Sequence, residues 1–245
     1  MSTTAVLHSE WIKLKSVRSV AGSLVSVFAV TLAVTLLAFS TIGQAEADNE
    51  GYDPVFGAFY ALNFGQIAAI SFGATALSSE FLDGALRISL AAVPRRGLFF
   101  AAKTGVVGAL ALAVGLATGF GTFLVGQAFM GEYAIGLGDP GALRACVGSG
   151  VYLALMALFA AGLTAVLRSG VAVLSILIPF VLIVSFVVGD VAGGAAQYFP
   201  DKAGQQVLRL HPEGALGAWT GLGVTALWAA AALLAGWWTL RRRDA

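Results

Sequence analysis

Charge is what this chain has least of. Only 11% of its 245 residues are Asp, Glu, Lys or Arg, where a soluble domain carries about 25%. That shortfall excludes the one or two soluble domains that the length alone would accommodate. Cysteine is almost missing as well. Cys146 stands alone in an apolar run, so no internal disulfide can form and the thiol reads as a space filler. The two histidines, His8 and His211, are far apart and neither has a second ligand at metal spacing. Clustered His, Cys or paired carboxylates, the mark of a membrane enzyme, are not found, and no catalytic or metal residue is assigned. Residues 97–104 resemble a phosphate loop, but Ala102 stands where its second glycine is required. No strand precedes that stretch, and it runs straight into an apolar segment. Nucleotide binding by this chain is therefore excluded, no bound cofactor is expected, and neither is a nucleic-acid partner.

What the chain has in abundance is hydrocarbon. It is 58% hydrophobic with a mean hydropathy of +0.87, and several apolar runs exceed the ~20 residues with which a helix crosses a bilayer. Six such runs are predicted as spans of an all-α polytopic membrane protein, at about 20–42, 55–77, 103–130, 142–167, 171–189 and 216–240. The first is followed by Ala45-Glu46-Ala47, which resembles a cleavage site. Its apolar core is far longer than the 7–15 residues of a signal peptide, so it reads as a retained anchor. Gly115 and Gly119 in the third run form a small-xxx-small pair suited to close helix packing. Pro179 predicts a kink in the fifth. The amides Asn63 and Gln66 in the second run are suited to facing other helices, or else a substrate; if the chain moves a cargo, they and Gln127 are candidates for lining its path.

The remaining segments are amphipathic or charged. Residues 1–19 form a separate interface segment, with Val6, Leu7, Trp11 and Leu14 on one face and Ser9, Glu10 and Lys13 pointing elsewhere. Residues 79–96 form a charged elbow between the second and third spans. Glu80 and Asp83 fall in the first turn of its helix, where acids complement the positive helix end. Asp83 is placed to pair with Arg87 four residues on. Phe81, Leu82, Leu86 and Ile88 offer apolar contacts, Gly84 permits close approach, and Arg95, Arg96 and Lys103 hold the chain at an anionic surface. Residues 190–215, including Asp190, Tyr198 and Phe199, are too broken for a span and suit short re-entrant or surface helices. Trp11, Trp237 and Trp238 are interfacial anchors, and Arg241, Arg242 and Arg243 stop the last span. With both termini inside, only Arg144, Lys202 and Arg209 of the 14 basic residues fall outside, as the positive-inside rule requires.

The order of these pieces resembles the membrane-spanning permease subunits of type 2 ABC transporters, in particular short, six-span, actinobacterial-like forms. The matching pieces are the segment from Ser9 to Ser19, the elbow from Glu80 to Arg87 and on to Arg96, the stretch from Tyr198 to Gln205, and the basic end from Arg241. The resemblance implies one transmembrane domain over 20–245 with a coupling helix in the elbow. It implies docking on a separate ABC ATPase, which holds ATP and Mg, and a second permease copy or close paralogue. Glu80, Phe81, Asp83, Gly84 and Arg87 would couple the two subunits. Residues 190–215 would be extracellular re-entrant helices, and the setting a bacterial plasma membrane. The implied activity is ATP-driven export of an unspecified cargo. A non-transporting accessory or immunity-type membrane protein, needing no ATPase, is the competing reading.

Overall fold

A backbone surrounded by hydrocarbon must satisfy its own polar groups, which favours helices. In the computed structural model, residues 3–82, 84–185, 187 and 193–242 are described, and among them there are helices and no strands. The helices are α1 (Thr3–Ser16), α2 (Arg18–Thr41), α3 (Gly43–Ala47), α4 (Pro54–Ala58), α5 (Leu62–Ser78), α6 (Ala85–Ala92), α7 (Arg96–Gln127), α8 (Ala142–Leu167), α9 (Gly170–Pro179), α10 (Pro200–Gln205) and α11 (Ala218–Arg242). Short 3₁₀ turns at Ser79–Phe81, Gly193–Tyr198 and Gln206–Leu208 join some of them.

Among the described residues four helices, α2, α7, α8 and α11, are long and apolar enough to cross a membrane. The other two predicted spans are shorter. Asp53 accepts hydrogen bonds from the backbone N–H groups of Val55 and Phe56, starting α4, and a turn then separates α4 from the 17-residue α5. α9 begins at Ser169, whose hydroxyl accepts from the Ala172 N–H. It runs through Pro179, which lacks a donor, and widens into a π-helical turn over Phe180–Val184. The expected kink thus takes the form of a change in helix winding.

α8 is the central helix: 67% of its apolar window is buried, against 22–39% in the other three. It packs against α5, α7 and α11, while α2 lies across α5 and α7. Missing side chains permit this closeness. A Cβ at Gly115 would stand 2.9 Å from the Gly150 carbonyl oxygen, and one at Gly119 would stand 2.7 Å from that of Cys146. The predicted pair is therefore the α7–α8 contact. Gly162 does the same for α8 and α11, where a Cβ would come within 2.6 Å of the backbone between Ala232 and Leu233.

The two ends of the bundle differ. At one end Arg96 donates to the Leu240 carbonyl (2.9 Å), the Arg168 guanidinium lies 5.9 Å from the centre of the Phe81 ring, and Lys103 meets the elbow. This elbow end also holds α1 and the last turn of α11. At the far end Asp53 accepts from the Leu210 N–H (2.8 Å), Arg144 donates to the Arg209 carbonyl, and Gln44 donates to that of Phe129 (2.9 Å).

Candidate functional site

The elbow is two elements and not one helix. Gly84 adopts φ +74°, a left-handed conformation that an L side chain resists, and the chain reverses there. Glu80 consequently sits in the 3₁₀ turn before the break, outside the first turn of the elbow helix where the sequence placed it. Asp83 lies outside the described residues. After the break α6 turns Leu86 and Ser89 inward and leaves Arg87 and Ile88 outward.

Glu80 is only 4% exposed, and it shares its burial with Glu10 and Lys103, each 1% exposed. Lys103 Nζ lies 2.6 Å from Glu80 Oε1 and 3.2 Å from Glu10 Oε2. Lys13 Nζ lies 2.8 Å from Glu10 Oε1 and donates to the Ser89 hydroxyl (2.9 Å), which in turn donates to Glu80 Oε2 (2.8 Å). Two acids and two bases, drawn from α1, the 3₁₀ turn and α7, are thus joined through a serine of α6. Burial by itself would raise the Glu80 carboxyl. The Lys103 charge and hydrogen bond, the Ser89 hydroxyl and Lys13 outweigh that, and hold Glu80 below its ordinary value.

Two expectations fall here. Glu10 does not point away from the packed face of α1, because at 100° per residue it lies between Val6 and Leu14, and those three are the buried residues. Leu7 and Trp11 are the more exposed side of the same helix. Lys103 is not a surface cation holding the chain to headgroups, since Glu10 and Glu80 draw it inside. The signal for the cluster was present as an acid in the Val6–Leu14 register, three residues before a lysine. Residues 97–104, the phosphate-loop lookalike, are regular α7 helix.

The other polar residues separate. Asn63 and Gln66 both line a cavity of about 400 Å³ near the far end, walled also by Tyr60, Phe64, Leu182 and the α10 side chains Asp201, Lys202 and Gln205. Gln205 donates to Asn63 (3.2 Å), and the Tyr152 hydroxyl donates to Gln66. Gln127 lies elsewhere, accepting from the Ile135 N–H (2.8 Å) in the loop after α7. Trp11 is exposed beside the cluster. Trp237 and Trp238 carry Arg241 and Arg242 over their rings at 4.8 and 4.2 Å. Arg243 lies outside the described residues, as does Asp190.

With this arrangement in view, the comparison with protein families is decisive: the model of the ABC-2 family transporter protein matches residues 6–187, from α1 through α9. The chain belongs to the ABC-2 transporter family. That family match takes in α1, the elbow, the ionic cluster and one wall of the cavity, while α10 and α11 follow it. An ABC-2 family chain is a membrane transport component, which agrees with the apolar helices of the bundle and supports a permease role. No curated protein matches the chain.

Proposed function

We propose that this ABC-2 family chain is the permease subunit of an ATP-driven exporter, powered by a separate ABC ATPase that holds ATP and magnesium. In this reading the chain crosses a bacterial plasma membrane six times, with α5 and the π-turned α9 as the second and fifth crossings. Both termini are cytoplasmic, and the elbow end is the cytoplasmic end. The gathering there of Lys13, Arg96, Lys103, Arg168 and Arg241 supports this side through the positive-inside rule. Residues 1–19 form the interface segment and 20–245 the transmembrane domain, with residues 190–215 re-entering from outside. A second copy or a paralogue completes the pathway.

The observation that carries this reading is the two-sided elbow. Its outer side presents Leu82 and Ile88, 62% and 73% exposed, beside Arg87 and Gly84. Its inner side is fastened through Glu80 and Ser89 to α1 and α7. Apolar residues exposed on a charged connector fit a protein partner, and the fastened side fits transmission of that partner's movement. Gly84 and Arg87 then belong to the docking side, whereas Phe81 packs on the inner cluster against Arg168 and, with Glu80, acts from within. Asn63 and Gln66 belong to the cargo path on its outer half.

The test is recovery of the chain from native membranes, followed by ATP hydrolysis in the recovered complex. A stoichiometric ATPase that is lost on Ile88→Asp supports the reading. A stable chain without a nucleotide-binding partner assigns it to the accessory or immunity class.

A further inference from the structure

The far-end cavity contains a polar atom that the described residues leave unanswered. Asp201 is 2% exposed and lines that cavity. Its Oδ2 accepts from the Ser185 hydroxyl, whereas Oδ1 has no hydrogen-bond partner among the described residues. Burial raises the Asp201 carboxyl above its ordinary value; the Ser185 hydroxyl, the N–H groups of Asp201 and Lys202 and the Lys202 charge oppose that rise without cancelling it, and none of them meets Oδ1 in hydrogen-bonding geometry. Among the described residues lining the cavity, this is the one buried side-chain polar atom without a partner. An acceptor left in that state bears the full loss of its hydration, and a ligand that donates to it removes the loss.

Two further features limit which ligand that is. Lys202 and Arg209 line the same space, with Arg209 lying 4.4 Å over the Phe56 ring and paired with Glu213, so a negative group entering beside the ligand's donor meets Lys202 and shares Arg209 with Glu213. Tyr60, Phe64 and Leu182 are lining residues that are also exposed at the bundle surface, so the cavity meets the surroundings across apolar side chains. Its volume of about 400 Å³ is within the range of small-molecule sites.

We infer that this cavity binds the headgroup of a zwitterionic amphiphile, with a primary ammonium donating to Asp201 Oδ1. The anionic group of the same ligand faces Lys202 and Arg209, and its hydrocarbon leaves past Phe64 and Leu182. A quaternary ammonium brings the charge but no N–H. An uncharged or purely anionic headgroup brings neither. The inference rests on the permease reading for the fate of the ligand, not for its binding.

The experiment uses the purified full chain in an uncharged maltoside detergent. Lysophosphatidylethanolamine, lysophosphatidylcholine and lysophosphatidylglycerol, each with a fluorophore in the acyl chain, are titrated against it. The ethanolamine probe is expected to bind about tenfold more tightly than the other two, the worth of one charge-assisted hydrogen bond. Asp201→Asn is expected to abolish that preference while leaving the weaker, shared affinity. Equal affinity of the wild-type chain for all three probes overturns the inference without need of any variant, as does an unchanged preference in a folded Asp201→Asn chain. Because no ATPase is present, ethanolamine selectivity without ATPase recruitment would sink the permease reading and leave the site standing. Recruitment without selectivity would do the reverse.

Discussion

Lys103 and Glu80 form a buried ion pair, 2.6 Å between Nζ and Oε1, that fastens the start of α7 to the elbow. Lys103→Met would leave Glu10 and Glu80 facing each other with only the half-exposed Lys13 as counter-charge. The expected loss is about 3–5 kcal/mol, the usual result of removing one member of a buried pair. Thermal unfolding in detergent reads it, and the double variant Glu80→Gln, Lys103→Met is expected to recover part of the loss. An unchanged melting temperature in the single variant would show that the cluster is not needed for stability.

The same pair gives acid sensitivity a definite sign. Glu80 is held below its ordinary value of 4.5, so its contribution is complete above that pH and is lost as the pH falls through the lower folded value. Wild-type stability is expected to fall on acidification below about 4.5, with Glu80→Gln less stable at neutral pH but changing less across the window. The measured quantity is the difference between the two melting curves as a function of pH. A difference that stays constant would remove Glu80 as its source.

Docking and fastening separate by position. Ile88→Asp alters an exposed side chain, so stability is expected to stay within about 0.5 kcal/mol while recovery of the ATPase is lost. Glu80→Ala is expected to retain membrane insertion and partner binding but to weaken coupled ATP turnover. Full coupling in the Glu80 variant would confine the cluster to a structural role.

Close packing of α7 on α8 supplies a stability test away from the charges. Gly119→Leu would drive a side chain into the Cys146 carbonyl, with an expected cost of about 1–3 kcal/mol or more. Gly105→Leu in the same helix meets nothing within 4 Å of its Cβ and serves as the control. Equal melting temperatures for the two variants would contradict the contact.

Much of this bundle was legible in composition and run length, because a long apolar helix announces itself by hydropathy alone. Gly115 and Gly119 could be read from spacing, since small residues one turn apart mark a close approach. What resisted reading was anything that joins distant segments. Lys103 looks like a surface anchor beside Arg95 and Arg96 until Glu10 and Glu80 are brought to it in space. Glu10 was misplaced for a different reason: the apolar Leu7 and Trp11 drew the face of α1 away from the true register of Val6 and Leu14. The break at Gly84 was hidden because glycine is compatible with both a helix and its interruption. The cavity joins Asn63 and Gln66 to Asp201, more than a hundred positions away, and neither amide betrays that partner.

The cluster also has a consequence for the order in which the chain is made. Glu10 and Lys13 leave the ribosome long before Glu80, and Lys103 follows Glu10 by 93 positions. During that interval the first helix has an acid on its inward face and no buried lysine to meet it. Its seat is completed only when the beginning of α7 arrives. The earliest segment to be synthesised is therefore among the later ones to be locked, and a nascent chain halted before Lys103 would carry a first helix still free to leave the bundle.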